Sequence, residues 1–126
     1  MILIVEDEFL IALDIENLII DCGLSVYGPY DTVGDALDAI ITQMPLCAIL
    51  DVRLPDGDIF PVADKLYEKH VPIIFHSGHA NVVDLQTRYP SSTVCQKPAS
   101  LDELKLSLME AVKNLGNLGL SEMPRL

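Results

Sequence analysis

Short apolar runs alternate along this chain with stretches in which apolar residues return every three or four positions. Ile2-Leu3-Ile4-Val5 is a β-branched run that stops at Glu6-Asp7-Glu8. From Phe9 to Asp21, Leu10, Leu13 and Leu18 with Ile11, Ile15 and Ile19 keep helical spacing, and Cys22-Gly23 closes that helix with Gly in the C-cap role. Ser25-Val26-Tyr27 reads as a weaker second strand, ended by Gly28-Pro29. Thr32 with Asp35 marks a second helix start; Val33, Ala36, Leu37, Ile40 and Ile41 form its stripe, and Pro45 ends it. Leu46 to Leu50 is an unbroken apolar run, the signature of a strand buried on both faces. It stops at Asp51, and Val52-Arg53-Leu54-Pro55-Asp56-Gly57 follows.

Ile59 to Lys69 reads as a third helix, with Phe60, Ala63, Leu66 and Tyr67 spaced for burial and Pro61 in its first turn. Ile73-Ile74-Phe75-His76 is a fourth strand, followed by the loop Ser77-Gly78-His79-Ala80. Asn81 to Arg88 is a short fourth helix, poor in apolar residues and cut off by Tyr89-Pro90. Thr93-Val94-Cys95-Gln96 is a fifth strand ended by Lys97-Pro98. Ser100 and Glu103 form a capping box before Leu104, Leu108, Ala111, Val112 and Leu115 of a fifth helix. Strands that alternate with helices predict an α/β (βα)5 fold: a doubly wound, parallel five-stranded sheet in the order 2-1-3-4-5. The expected domain is 1-115, with 116-126 as a C-terminal tail.

Composition narrows the function classes. Half the 126 residues are hydrophobic, enough for a core without staples, and with aromatics at 6% that core must be aliphatic. The net charge of -11 argues against nucleic acid, whose phosphates need a basic footprint, and suits a cation or a basic partner. Cys22, Cys47 and Cys95 show neither metal spacing nor an even count, so they read as thiols in a reducing compartment. The acidic cluster at Glu6 argues against a signal peptide, and no run approaches the roughly 20 apolar residues of a membrane span. The expected location is cytoplasmic.

The chemistry collects at the strand ends. In a parallel sheet Glu6-Asp7, Asp51, Ser77 and Lys97 share the carboxyl edge, where ligands of open α/β sheets sit. Adjacent strands lie about 4.8 Å apart, so Asp7 and Asp51 can share one ion. Acids without His or Cys make a hard-oxygen site suited to Mg2+ and a phosphate. Lys97 can hold a phosphoryl oxygen as a point charge, and the Ser77 hydroxyl can reach another. Taken singly, each residue also reads as an acidic turn, a polar loop or a surface lysine; their coincidence at the correct strand ends favours the site.

On Val5-Glu6-Asp7-Glu8, Leu50-Asp51-Val52-Arg53-Leu54-Pro55-Asp56-Gly57, Ser77-Gly78 and Lys97-Pro98, the chain resembles a response-regulator receiver domain, the CheY-like fold of two-component signalling, from Ile2 to Leu115. That resemblance implies Asp51 as phosphoacceptor from a kinase phosphohistidine, Mg2+ held by Glu6, Asp7, Asp51 and the Arg53 backbone carbonyl, and Ser77 and Lys97 on the phosphoryl oxygens. It implies a sensor histidine kinase or phosphotransfer protein as donor and a downstream protein as receiver of the signal. It implies a monomer or weak dimer through helix 4, strand 5 and helix 5, with no direct contact to nucleic acid or membrane. It implies a domain that is not an enzyme beyond its own phosphorylation and slow dephosphorylation.

The chain departs from the usual pattern at Val94, where receivers carry a switching aromatic, and at Phe75-His76-Ser77-Gly78-His79, which resembles a divergent alphaproteobacterial subgroup with a Phe-x-Thr-Gly-like run. Without the ring at Val94, the signal is expected to leave through the loop after Ser77 and the segment Asn81 to Arg88. His76 reads as a satisfied, semi-buried histidine. Arg53, Gly78 and His79 are candidates for tuning the site, His79 being otherwise a solvated loop residue. Two rival functions stand beside this one. A phosphatase-like enzyme with an Asp nucleophile is disfavoured because Arg53 stands where such enzymes carry a second Asp. A phosphate-independent pseudo-receiver is disfavoured because every site group is present.

Overall fold

The computed structural model describes residues 1–78, 82–97 and 100–122, with side chains as far as Leu115. The elements run β1 (Ile2–Val5), α1 (Phe9–Asp21), β2 (Val26–Tyr30), α2 (Val33–Thr42), β3 (Cys47–Leu50), β4 (Arg53–Leu54), β5 (Gly57–Asp58), α3 (Phe60–Glu68), β6 (Ile73–Ser77), α4 (Val82–Arg88), β7 (Thr93–Gln96) and α5 (Leu101–Glu122). A five-stranded sheet has the order β2-β1-β3-β6-β7, the expected 2-1-3-4-5 with β6 and β7 as its fourth and fifth strands. All its pairs are parallel, as an alternation of strand and helix requires.

Strand side chains alternate between two cores. Leu3, Val5, Ala48, Leu50, Ile73 and Phe75 pack with buried residues of α2, α3 and α4. Ile2, Ile4, Cys47, Ile49, Ile74 and Cys95 pack with α1 and α5. Both faces are covered, which is why the central strands are apolar runs without polar alternation. Each fully buried Leu, Ile or Phe contributes about 1.5–3 kcal/mol over exposure.

Several elements differ from the sequence pattern. Only one face of α1 meets the sheet, so Ala12, Ile15, Leu18 and Ile19 are buried while Leu10 and Leu13 face out. Ile41 of the α2 stripe is likewise exposed. Strand β2 does not end at Gly28-Pro29 but runs through it to Tyr30. As an edge strand, β2 can tolerate a proline that donates no hydrogen bond. A glycine is required beside that proline: Gly28 has φ 105, and a Cβ there would lie 2.9 Å from the Ile4 carbonyl oxygen. The α5 backbone stays helical to Glu122, past Gly116 where the apolar pattern stops. Pro55-Asp56-Gly57, read as punctuation, belongs to a two-stranded antiparallel ribbon of β4 and β5.

Candidate functional site

Register brings the strand ends together. Val5 pairs with Leu50, Leu50 with Phe75 and Phe75 with Val94, so the next residues emerge along one edge. Backbone bonds continue just past the ladders. Glu6 N–H donates to the Tyr30 carbonyl at 2.9 Å, Asp51 N–H to Val5 at 2.9 Å, and Lys97 N–H to Ser77 at 3.0 Å. The groups of the site are therefore held by main chain before any side chain acts.

Glu6, Asp7 and Asp51 each place a carboxylate oxygen within 4.8 Å of the other two. Glu6 and Asp51 are buried and Asp7 is exposed. Lys97 Nζ stands 2.9 Å from Glu6 Oε1 and 3.1 Å from Asp51 Oδ2. The contact to Asp51 is a hydrogen bond; the contact to Glu6 lacks hydrogen-bond alignment. Glu6 Oε2 accepts from the Glu8 N–H at 3.2 Å. Burial foremost, with the adjacent Asp51 carboxylate, pushes Glu6 up to about 7 against the pull of Lys97. Burial works against the charge on Lys97, but Glu6 and Asp51 outweigh it and raise its pKa.

Lys97, which also lies 4.0 Å from Glu8 Oε1, is thus one positive charge beside the cluster of Glu6, Asp7 and Asp51, which is short of positive charge. Oxygen donors alone, one of them open to solvent at Asp7, fit a hard divalent cation that keeps part of its water shell, as Mg2+ does. The Glu6 Oε1 atom is buried and paired with Lys97 without an aligned hydrogen bond, so an ion that displaced the lysine would find an oxygen donor there.

Directly after Asp51 the chain folds on itself. Arg53 pairs with Asp58 and Leu54 with Gly57, and Ile59 N–H donates to the Val52 carbonyl at 2.9 Å. The Arg53 side chain points to solvent, while Val52 and Leu54 are buried. Ser77 is buried at the end of β6 beside Lys97, and Gly78 is exposed. A Cβ at Gly78 would make an ordinary 3.6 Å contact with the Lys97 side chain, and its φ is not left-handed, so backbone freedom is not what this glycine supplies. His79, Asn81 and Pro98 lie outside the described residues.

His76 corrects an expectation. Its ring is 5% exposed, and neither nitrogen has a hydrogen-bond partner among the described residues. By alternation it faces α1 and α5, away from the core that holds Phe75. Burial, then the positive charge of Lys97, keep its pKa below the usual histidine value.

Two features escaped the sequence pattern. Asp56 Oδ1 accepts from the Val33 N–H at 2.8 Å and Oδ2 from the Gly34 N–H at 3.0 Å, which ties the ribbon after Asp51 to the start of α2. Tyr89 is 1% exposed, with its ring against Phe60, Tyr67 and Phe75. Both join residues more than twenty positions apart, beyond the reach of local spacing.

A family model described as the response regulator receiver domain matches residues 2–108. The regulatory protein LuxO of Vibrio vulnificus is 27% identical over 118 residues, 90% of this chain. The chain spans about a quarter (26%) of that relative's length. The solution structure of SdrG from Sphingomonas melonis Fr1 is similar at 33% identity and a TM-score of 0.74, covering 88% of this chain and 94% of that one. The receiver domain of NtrX from Brucella abortus is similar at 26% identity and a TM-score of 0.77, covering 90% and 98%. No helix among the described residues is long and apolar enough to cross a membrane. With its parallel sheet, its acidic edge and the span of the match, the chain belongs to the response regulator receiver domain family.

Proposed function

We propose that this receiver takes a phosphoryl group on Asp51 from a phosphohistidine and passes the signal on by a change of conformation. The observation that supports this most is Lys97 Nζ, 2.9 Å from Glu6 and 3.1 Å from Asp51, at an edge with three converging carboxylates. Asp51, ionised, attacks phosphorus. The N–P bond of the donor breaks, an O–P bond to Asp51 forms, and the leaving imidazole takes its proton from solvent. Lys97 turns from the carboxylates toward the phosphoryl oxygens and offsets their charge, and the Ser77 hydroxyl donates to another oxygen. Glu6, Asp7, Asp51 and the Arg53 carbonyl hold Mg2+, which when bound neutralises charge on the phosphoryl group. Water later attacks the same phosphorus and releases phosphate, restoring the Asp51 carboxylate. Gly78, His79 and the Arg53 side chain tune the rate of this step.

The donor is a sensor histidine kinase or a phosphotransfer protein in the cytoplasm, and the receiver of the signal is a second protein. The chain is a monomer or a weak dimer through α4, β7 and α5, where Val83, Leu106 and Met109 are exposed. The signal leaves by α4, since Val94 on β7 has no ring to rotate. Titration with Mg2+ and beryllofluoride, followed by amide NMR, tests the reading. Shifts are expected at Asp51, Ser77 and Lys97 and along Val82–Arg88. Unmoved amides along the whole edge would overturn it, and a shift confined to the edge would overturn the exit through α4.

A further inference from the structure

The loop that carries the Arg53 carbonyl has one hydrogen-bonding side-chain tether among the described residues. Its ribbon is only two residue pairs long, Arg53 with Asp58 and Leu54 with Gly57. An isolated two-stranded ribbon is marginal in water. Leu54 is buried and secures one strand. The turn between the strands is secured by Asp56, whose two carboxylate oxygens accept the Val33 and Gly34 N–H groups at 2.8 and 3.0 Å. Those donors open α2, where the helix dipole favours an anion. The anchor is firm, because Val33 is buried in the core; the Thr32 cap, which accepts the Asp35 N–H at 3.1 Å, lies on the same turn but does not touch Asp56.

We infer that Asp56 is a positioning residue for the metal site: by clamping the ribbon to α2 it holds the Arg53 carbonyl where a divalent cation needs it. This rests on the Mg2+ reading proposed above. Mg2+ demands near-ideal octahedral geometry, so a ligand on a loosened loop binds it poorly. Groups behind the direct ligands commonly set metal affinity in this way.

The test compares Asp56→Ala, Asp56→Asn and Thr32→Ala in the full chain, reading Mg2+ affinity by NMR and amide exchange at Gly57 and Asp58. Thr32→Ala weakens the start of α2 without touching the ribbon, so it reports what a merely structural cap is worth. In Asp56→Ala the Mg2+ Kd is expected to rise about tenfold with faster exchange at Gly57 and Asp58, while Thr32→Ala lowers the melting temperature but moves Kd by less than about twofold. Asp56→Asn keeps one acceptor oxygen and should fall between. An unchanged Kd in Asp56→Ala, or an equal rise in Thr32→Ala, overturns the inference alone. Wild-type chain whose Mg2+ response survives Asp7→Ala, or that shows none, overturns the metal reading and this inference with it.

Discussion

The Tyr89 hydroxyl donates a 2.6 Å hydrogen bond to Asp64 Oδ1, fastening the end of α4 to α3. Arg88 pairs with the same carboxylate at 3.1 Å and lies 4.3 Å over the Phe60 ring. Of the helix itself, only Leu85 is buried. An aromatic that follows the helix thus ties the C-terminal end of α4 to α3, and the half-buried Val94 of β7 packs on the same core.

That pin can be weighed by substitution. Tyr89→Phe keeps the ring and loses the bond to Asp64, at a cost of about 1 kcal/mol. Tyr89→Ala also empties a packed site and should cost about 3–5 kcal/mol. Urea unfolding of both variants measures the difference. Equal losses would mean that the ring contributes nothing.

Asp51→Asn should abolish acyl-phosphate formation, because the amide is no nucleophile, while its similar volume preserves the fold. Incubation with acetyl phosphate and detection of the phosphorylated chain by intact mass gives the answer. Uptake at the wild-type rate would assign the phosphate elsewhere.

The pH dependence at Glu6 has two signs. Its folded pKa, raised from 4.5 to about 7, makes the metal-free chain lose stability as pH climbs through that window. Mg2+ competes with that proton, so its affinity should rise over the same interval. Mg2+ should raise the melting temperature by mass action, and Asp7→Ala should remove the rise. Calorimetry at pH 6 and pH 8, with and without Mg2+, separates these effects; an affinity independent of pH would detach Glu6 from the ion.

His76 should be dispensable for stability. A buried polar group without partners costs about 1–3 kcal/mol, so His76→Leu is expected to leave the melting temperature at pH 7 unchanged or higher. The folded chain keeps this ring neutral, whereas the unfolded chain protonates it below about pH 6.5, so wild-type stability falls there. The leucine variant should lose that part of the acid slope. A loss above about 2 kcal/mol at pH 7 would show that the ring has a partner.

Much of this molecule is legible in its residue order. Apolar runs that end at Glu6, Asp51 and Lys97 determine the strands and which edge the acids reach, because a parallel sheet puts all those ends on one side. The helix starts at Thr32 and Ser100 are equally local, each a side chain bonded to an amide three residues on. Folding alone decided the rest. Periodicity finds an apolar stripe but not which part of it meets the sheet, so Leu10, Leu13 and Ile41 fell outside the core. The carboxylate of Asp56 looked like a turn residue until α2 came within reach of it. Tyr89 looked like a helix stop beside Pro90, and became a fully buried side chain, the largest among the described residues, once α3 supplied Asp64 for its hydroxyl. Among the described residues, the nitrogens of His76 were left unpaired by the packing of α1 and α5 over the sheet. Hydrogen bonds and burial between distant segments depend on where whole elements dock, and no local spacing encodes that.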